Sequence, residues 1–371
     1  MINDLRGPVM ERRQFLNRVG QVACALPVAS WLASGSAQAD DARSKIKIGQ
    51  IGTSHAHASG KLEAIRKLSD RYEVVGVVEP DAKRRERLQD QAPYAGLKWV
   101  TEEELLATPG LQAVAVETEV RELVPTAQRM VAAGKHVHVD KPAGESLSEF
   151  KTLLDTATSR GVTVQMGYMF RYNPAFQLCF QAVRDGWLGN VFEIHGVISK
   201  TLGASARKSL AEYRGGSMFE LGCHLIDMVT TILGKPEQVT PHLRRTRPEQ
   251  DDLADNMLAV FDYPKATATI RSSMLEVDGG RRRHFTVCGD HGTIEIYPLE
   301  PPQLRLTLDA PRGAFKKGTQ EVTLPKMTGR YDGEFIDLAA VIRGEKPFGW
   351  PPSHDLATHE AILRASGLEA N

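Results

Sequence analysis

Between residues 45 and 166 the chain alternates short apolar runs with amphipathic stretches, and this constrains the fold more than any other feature. Lys45–Gly52 (KIKIGQIG) reads as a strand entering a tight turn, after which Leu62, Ile65 and Leu68 recur at helical spacing. Tyr72–Glu79 (YEVVGVVE) is a second strand, apolar along nearly all its length, as expected where both faces of a parallel sheet are covered. The pattern continues with a charged helix over 81–91, a short strand over 98–100, a helix over 101–107 and a strand over 111–117. A helix carrying Leu123, Ala127, Met130 and Val131 follows, then a strand over 136–139, a helix carrying Leu147, Phe150, Leu154 and Ala157, and a strand over 162–166. Such alternation predicts an α/β, doubly wound parallel sheet over residues 45–167, with ligands at the strands' carboxyl ends.

The pattern changes near residue 170. A helix near 174–186 gives way to hairpin-like pairs, 256–263 with 265–274 about Pro264, and 282–289 with 293–297 about Asp290-His291-Gly292. Helices are expected at 217–233, 331–343 and 354–367. This second region, 168–371, reads as an α+β domain with a mainly antiparallel open sheet. The length of 371 residues and 42% hydrophobic content allow a core in each domain. No apolar run approaches the roughly 18 residues of a membrane span.

The first 39 residues belong to neither domain. Arg12-Arg13 precedes an apolar segment from Val19 to Leu32, and Ala37-Gln38-Ala39 offers a small-x-small cleavage site. Together they resemble a twin-arginine signal peptide, which implies export of a folded protein by the twin-arginine machinery to the periplasm or another extracytoplasmic space. The alternative, an amphipathic first helix, is interrupted by Gly20, Pro27 and Gly35. Cleavage would remove Cys24 and leave Cys179, Cys223 and Cys288, too widely spaced for a disulfide framework or a C-x-x-C metal site. It would also leave 42 basic against 44 acidic residues, a balance that argues against a nucleic-acid binder.

Four segments carry chemistry. Gly52-Thr53-Ser54-His55-Ala56-His57 occupies the first strand-to-helix turn, where a dinucleotide fold carries G-x-G-x-x-G; Ser54 and His57 stand at the second and third glycine positions. Gly52 permits the sharp turn, and the following helix N-terminus can meet a pyrophosphate. His55 and His57 also spell H-x-H, which serves metals in eight-unit barrels; the hairpins of the second half argue against a barrel, so no metal is expected. Glu79, 27 residues after Gly52, is placed to hold an adenosine ribose and favours NAD over NADP, with Lys83, Arg84 and Arg85 nearby.

Lys141, in Val137-His138-Val139-Asp140-Lys141-Pro142, stands at a strand's carboxyl end, where burial would lower its pKa toward general acid/base work. In Gly215–Asp227, Glu220, His224 and Asp227 fall on one helix face, so His224 can exchange a proton with an adjacent acid fixing its tautomer. Ser217-x-x-Glu220 is equally a capping box, which would give Glu220 a structural task.

These segments, with Phe170-Arg171-Tyr172-Asn173-Pro174, occur in the order seen in the glucose–fructose oxidoreductase/inositol dehydrogenase (Gfo/Idh/MocA) family, which residues 45 to about 368 resemble. The resemblance implies a Rossmann domain followed by a substrate and oligomerisation domain, and a homo-oligomer. It implies catalytic roles for Lys141 and His224, with Glu220 as companion acid. It places Gly52, Thr53, Ser54, His55, His57, Glu79, Thr118, Asp140, Lys141 and Arg171 around NAD or NADP. Asp140 replaces the glutamate of the family's E-K-P, and Glu117-Thr118-Glu119 keeps the threonine but lacks the proline of its A-T-P segment.

The expected reaction is hydride transfer between a tightly bound NAD(P) and a sugar, cyclitol or related polyol. A glycoside hydrolase or lyase of the same fold, using the cofactor transiently, and a non-catalytic sugar- or nucleotide-binding module are the alternatives.

Overall fold

The computed structural model describes residues 44–370. The signal read over residues 1–39, Cys24 included, lies outside the described residues. Strands β1 (Ile46–Ile51), β2 (Tyr72–Val78), β3 (Leu111–Val116), β4 (His136–Val139) and β5 (Val164–Met166) form one parallel sheet in the order β2-β1-β3-β4-β5. The short strand expected over 98–100 is a single parallel bridge between Trp99 and Val77 at the β2 edge. The helices are α1 (Ala58–Lys67), α2 (Ala82–Leu88), α3 (Glu102–Leu106), α4 (Val120–Ala132) and α5 (Leu147–Arg160).

Local chemistry sets their ends. Asp81 caps α2 by accepting from the Lys83 and Arg84 backbone N–H groups, and Thr101 and Glu104 form a reciprocal capping box on α3. Gly161 closes α5 in the left-handed region, at φ 66°.

The strands are apolar throughout because both faces are covered. Ile46, Ile48, Ala113 and Ala115 share one cluster with Ala64 and Ile65 of α1, whereas Val114, Val116, Val137 and Val139 cluster with Leu123 and Met130 of α4 and Phe150 of α5. The first cluster also takes Phe335, Leu338 and Ala339 from a helix near the end of the chain.

In the second region, α6 (Pro174–Arg184) starts with Asn173 as its cap and Pro174 in its first turn. It precedes β6 (Val191–Ser199), α7 (Ala204–Leu210), a wide π-type turn (Met218–Gly222) and α8 (Cys223–Leu233). Strands β7 (Gln238–Arg244), β8 (Asn256–Tyr263), β9 (Ala266–Ser273), β10 (His284–Gly289), β11 (Gly292–Leu299), β12 (Pro302–Leu308) and β13 (Gly318–Val322) follow. They join β6 in an eight-stranded sheet, order β13-β12-β11-β10-β6-β9-β8-β7, antiparallel except where β6 meets β9. Buried Ala266, Ala268 and Ile270 alternate with Thr267, Thr269 and Arg271 along β9, so the sheet is covered on one face.

The last helices are α9 (Asp332–Ile342) and α10 (Pro352–Ala365). Helix α10 packs on α5 and α8, and α9 returns to cover the first sheet beside α1. A division at 167/168 separates the two sheets but assigns α9 to the region it does not cover.

Candidate active site

The turn after β1 needs its glycine. Gly52 has φ +85°, and a Cβ there would lie 2.7 Å from the Thr118 backbone. Thr53 follows, and its N–H donates to Glu79 Oε2 at 3.1 Å, with its hydroxyl on the same oxygen. The Asp81 N–H holds the other oxygen at 3.0 Å, and Arg84 lies 3.7 Å from Glu79. Gly52, Ser54, Glu79, Arg84 and Thr118 line a cleft of about 860 Å³ at the carboxyl ends of β1, β2 and β3.

His55 and His57 do not obstruct this cleft, because both rings turn to Asp140 at the end of β4. His57 Nδ1 is 3.0 Å and His55 Nδ1 3.1 Å from Asp140 Oδ2, while His55 Nε2 meets the Lys141 carbonyl at 3.2 Å. The His57 N–H donates to His55 Nδ1 at 3.3 Å. Burial holds His57 down to about 4, so its ring is neutral at pH 7. Burial opposes ionisation of Asp140, but His55, His57 and Lys61 outweigh it and keep its carboxyl well below the usual range. The donor atoms of His55, His57 and Asp140 lie within 4.8 Å of one another, so this trio has the side chains to chelate a divalent ion.

Lys141 is fully enclosed. Its Nζ donates to the Glu220 backbone oxygen at 2.6 Å and to Glu220 Oε2 at 3.3 Å. Lys200 reaches Glu220 Oε1 at 3.4 Å. Burial alone would lower the Lys141 pKa, as read from the sequence, but the Glu220 carboxylate reverses this and pushes it up to about 12. Lys141 is therefore a cation at neutral pH. Burial raises Glu220 in turn, but Lys141 and Lys200 outweigh it and hold the carboxyl down to about 2.

The capping box at Ser217 does not form. The Ser217 hydroxyl donates to the Ser272 carbonyl at 3.1 Å, and the π-type turn directs Glu220 at Lys141 instead.

His224 is 3% exposed and opens with Lys141, Lys200, Glu220 and His57 onto a second cavity, of about 180 Å³. Its ring packs edge-on against Tyr168 and Phe170, and burial, then Lys141, keep it neutral, well below the usual histidine range. Among the described residues no acid fixes its tautomer: Nδ1 has no hydrogen-bond partner there, and Asp227 turns away to Arg171.

Arg171 itself is not brought to either cavity. It is fully buried, bonded to Asp227 through Nε at 2.9 Å and Nη2 at 2.7 Å, with Asp355 as a second acid. The other residues assigned from the sequence to catalysis or to the cofactor line the cleft, line the cavity or bond to residues that do.

Sequence reasoning missed Arg283 and Arg330 on the cavity wall: Arg283 ends the run Arg281-Arg282-Arg283 before β10, which reads as a solvated basic patch, and Arg330 lies in a loop. It also missed Lys61, although a signal was present: Lys61 falls among Ala58, Leu62 and Ile65 on the core-facing side of α1.

A parallel sheet with a glycine turn after its first strand and an acid after its second is the arrangement of a dinucleotide-binding domain. The chain belongs to the GFO/IDH/MocA family: residues 46–168 match its NAD-binding Rossmann fold, described as an oxidoreductase family, and residues 176–295 match its C-terminal domain. The uncharacterized oxidoreductase YhhX of Escherichia coli (strain K12) is 26% identical over 228 residues, 60% of this chain and 64% of that protein. The trans-1,2-dihydrobenzene-1,2-diol dehydrogenase of Sus scrofa is 26% identical over 164 residues, 44% of this chain and 48% of its own. The chain thus spans less than two thirds of either relative.

Among solved structures, aldose-aldose oxidoreductase from Caulobacter crescentus superposes with a TM-score of 0.72 at 19% identity, covering 87% of this chain and 98% of that one. An oxidoreductase from Agrobacterium radiobacter, in complex with NAD+, L-tartaric acid and magnesium, superposes with a TM-score of 0.74 at 17% identity, covering 87% and 97%. At such identities these likenesses establish the fold.

The side chains present fit a dinucleotide. The Gly52 turn leaves no room for a Cβ, the imidazoles fold away from the cleft onto Asp140, and Glu79 lines the cleft with Gly52 and Ser54.

Proposed function

We propose that the protein transfers a hydride between NAD(P) and a CH–OH carbon of a sugar, cyclitol or related polyol. The observation that carries this is Lys141, an enclosed cation facing a small cavity shared with neutral His224, beside the dinucleotide cleft. The Gly52–Ser54 turn would hold the pyrophosphate, Glu79 the adenosine ribose, and Thr118 the wall between them. A bound nicotinamide supplies the hydride acceptor or donor.

The protein's own groups manage the proton and the charge. Lys141 donates a hydrogen bond to the substrate oxygen and stabilises negative charge as the C–H bond breaks. His224, neutral before reaction, takes the hydroxyl proton. Glu220 keeps Lys141 charged and aimed. Glu79 favours NAD, because a carboxylate repels a 2′-phosphate. The proposal extends to compartment: an enzyme exported through residues 1–39 keeps its cofactor bound and regenerates it with a second substrate.

The diol dehydrogenase of Sus scrofa and the aldose-aldose oxidoreductase of Caulobacter crescentus support a CH–OH substrate.

Mass spectrometry of heat-released ligand tests the cofactor, with NAD expected. Lys141→Met is expected to lower turnover about 100-fold or more while NADH binding, read by fluorescence, persists. Retained turnover in that variant would sink the assignment.

A further inference from the structure

We infer that the substrate of this cavity is an anionic sugar or polyol, carrying a carboxylate or a phosphate. This rests on the oxidoreductase reading for the cavity's role, but its argument is electrostatic. Lys141, Lys200, Arg283 and Arg330 face the cavity, and Glu220 is the single carboxylate on its wall. His57 and His224 add no charge at neutral pH, since burial keeps both rings neutral.

The carboxylates in reach are already shared. Glu220 serves Lys141 at 3.3 Å and Lys200 at 3.4 Å. Glu300, behind the wall, serves both guanidiniums, with Arg330 at 2.8 Å and Arg283 at 3.6 Å. Four cations against two carboxylates leave an excess of two positive charges around a space of about 180 Å³. In the layer behind, Lys61 pairs with Glu334, and the Asp140 carboxylate, 3.0 Å from His57, offsets one of the two charges, so the cavity keeps a net positive wall.

Arg283 is held in place by its Nε, which donates to the Ser199 carbonyl at 3.1 Å with the side chain 15% exposed. A guanidinium has five N–H donors, so Arg283 and Arg330 keep donors for a ligand beyond these contacts. A neutral hydroxyl can accept one such bond but leaves the charge excess in a low-dielectric wall. An oxyanion answers both, with two oxygens for the paired guanidiniums. The volume corresponds to about six waters, which suits one sugar ring and not a chain of them.

Titration calorimetry on the protein as purified tests this, with D-glucuronate, D-glucose 6-phosphate and D-glucose as probes at low and high salt. At least one anionic probe is expected to bind about tenfold or more tightly than glucose, and less so at high salt. Whichever anion prevails identifies carboxylate or phosphate as the recognised group. Arg283→Gln and Arg330→Gln should each reduce that preference about tenfold, leaving NADH affinity unchanged; Arg330, the more exposed, guards against a folding defect in the other.

Equal binding of glucose and both anions, binding of none of the three, or a preference that survives both substitutions would overturn the inference. Arginine-dependent anion binding in a protein that binds no dinucleotide would sink the oxidoreductase reading and leave the inference standing. Dinucleotide-dependent turnover of a neutral sugar without anion preference would do the reverse.

Discussion

Arg171 sits one turn of chain from the end of β5, and similarity to the family places it near the cofactor, yet its surroundings give it another task. Its guanidinium lies between the rings of Tyr168 and Trp350, at 5.0 and 4.9 Å, and bonds both Asp227 and Asp355. Removing one partner of a buried pair leaves the other charge uncompensated, which costs about 3–5 kcal/mol. Arg171→Met should therefore lose about that much in urea unfolding, and Arg171→Lys should recover little, because an ammonium cannot bond two acids in the plane of a fork. The folded fraction of either variant should bind NADH normally; weakened binding would restore Arg171 to the cofactor site. Lys141, Glu220 and His224 were legible in the sequence because each lies in a contiguous strand-end or helix pattern. The direction of the Lys141 shift was not legible, since it depends on Glu220, 79 residues away. Arg283 and Arg330 belong to the same cavity, but nothing local separates Arg283 from its neighbours Arg281 and Arg282, or Arg330 from its loop.

At the scale of elements, the alternation of apolar runs located every strand of the first sheet and most of its helices, because burial on both faces leaves a periodic imprint. It could not say which helix covers which face. Helix α9 follows the second sheet in sequence but packs on the first, tied there by Tyr72, whose hydroxyl donates to the Phe335 carbonyl at 2.6 Å. Lys61 of α1 and Glu334 of α9 add an enclosed ion pair, with His138 3.0 Å from the ammonium. Such pairing over 273 positions leaves no local signature. Lys61→Met or Glu334→Leu alone should cost about 3–5 kcal/mol, while the double variant should recover most of the loss, since two apolar side chains replace two desolvated charges. A double-mutant cycle by denaturant unfolding measures this; additive losses would show that the pair does not act as a unit.

Across the whole molecule, the same burial that tunes the site sets how stability responds to acid. Burial holds His57 down to about 4 and His138 and His359 to about 3, and it keeps His224 well below its ordinary value. In the unfolded chain each would titrate near a pKa of about 6.5. The unfolded state therefore binds protons that the folded state refuses, so this stabilisation is complete above pH of about 6.5 and falls as pH drops toward the folded values. Two carboxyls act in the opposite sense. Burial, partly offset by Lys61, raises Glu334 to about 7, and burial with Asp140 raises Glu117, so the folded protein takes up protons there first. Near pH of about 5 these four histidines, almost fully protonated in the unfolded chain, outweigh the two carboxyls by about two protons, so roughly 2–3 kcal/mol is lost per pH unit there. The loss is far less near pH of about 6.5, where the unfolded histidines are only half protonated. His136 and His195, also lowered by burial, act in the same sense, and Asp355, raised by burial, in the opposite one. Urea unfolding at closely spaced pH values should show that slope. His359 lies on α10 against Phe150, and His359→Gln should remove about one proton from the difference and flatten the slope by roughly 1.4 kcal/mol per pH unit. A profile as steep as that of the unaltered protein would mean that His359 is not held neutral by its burial.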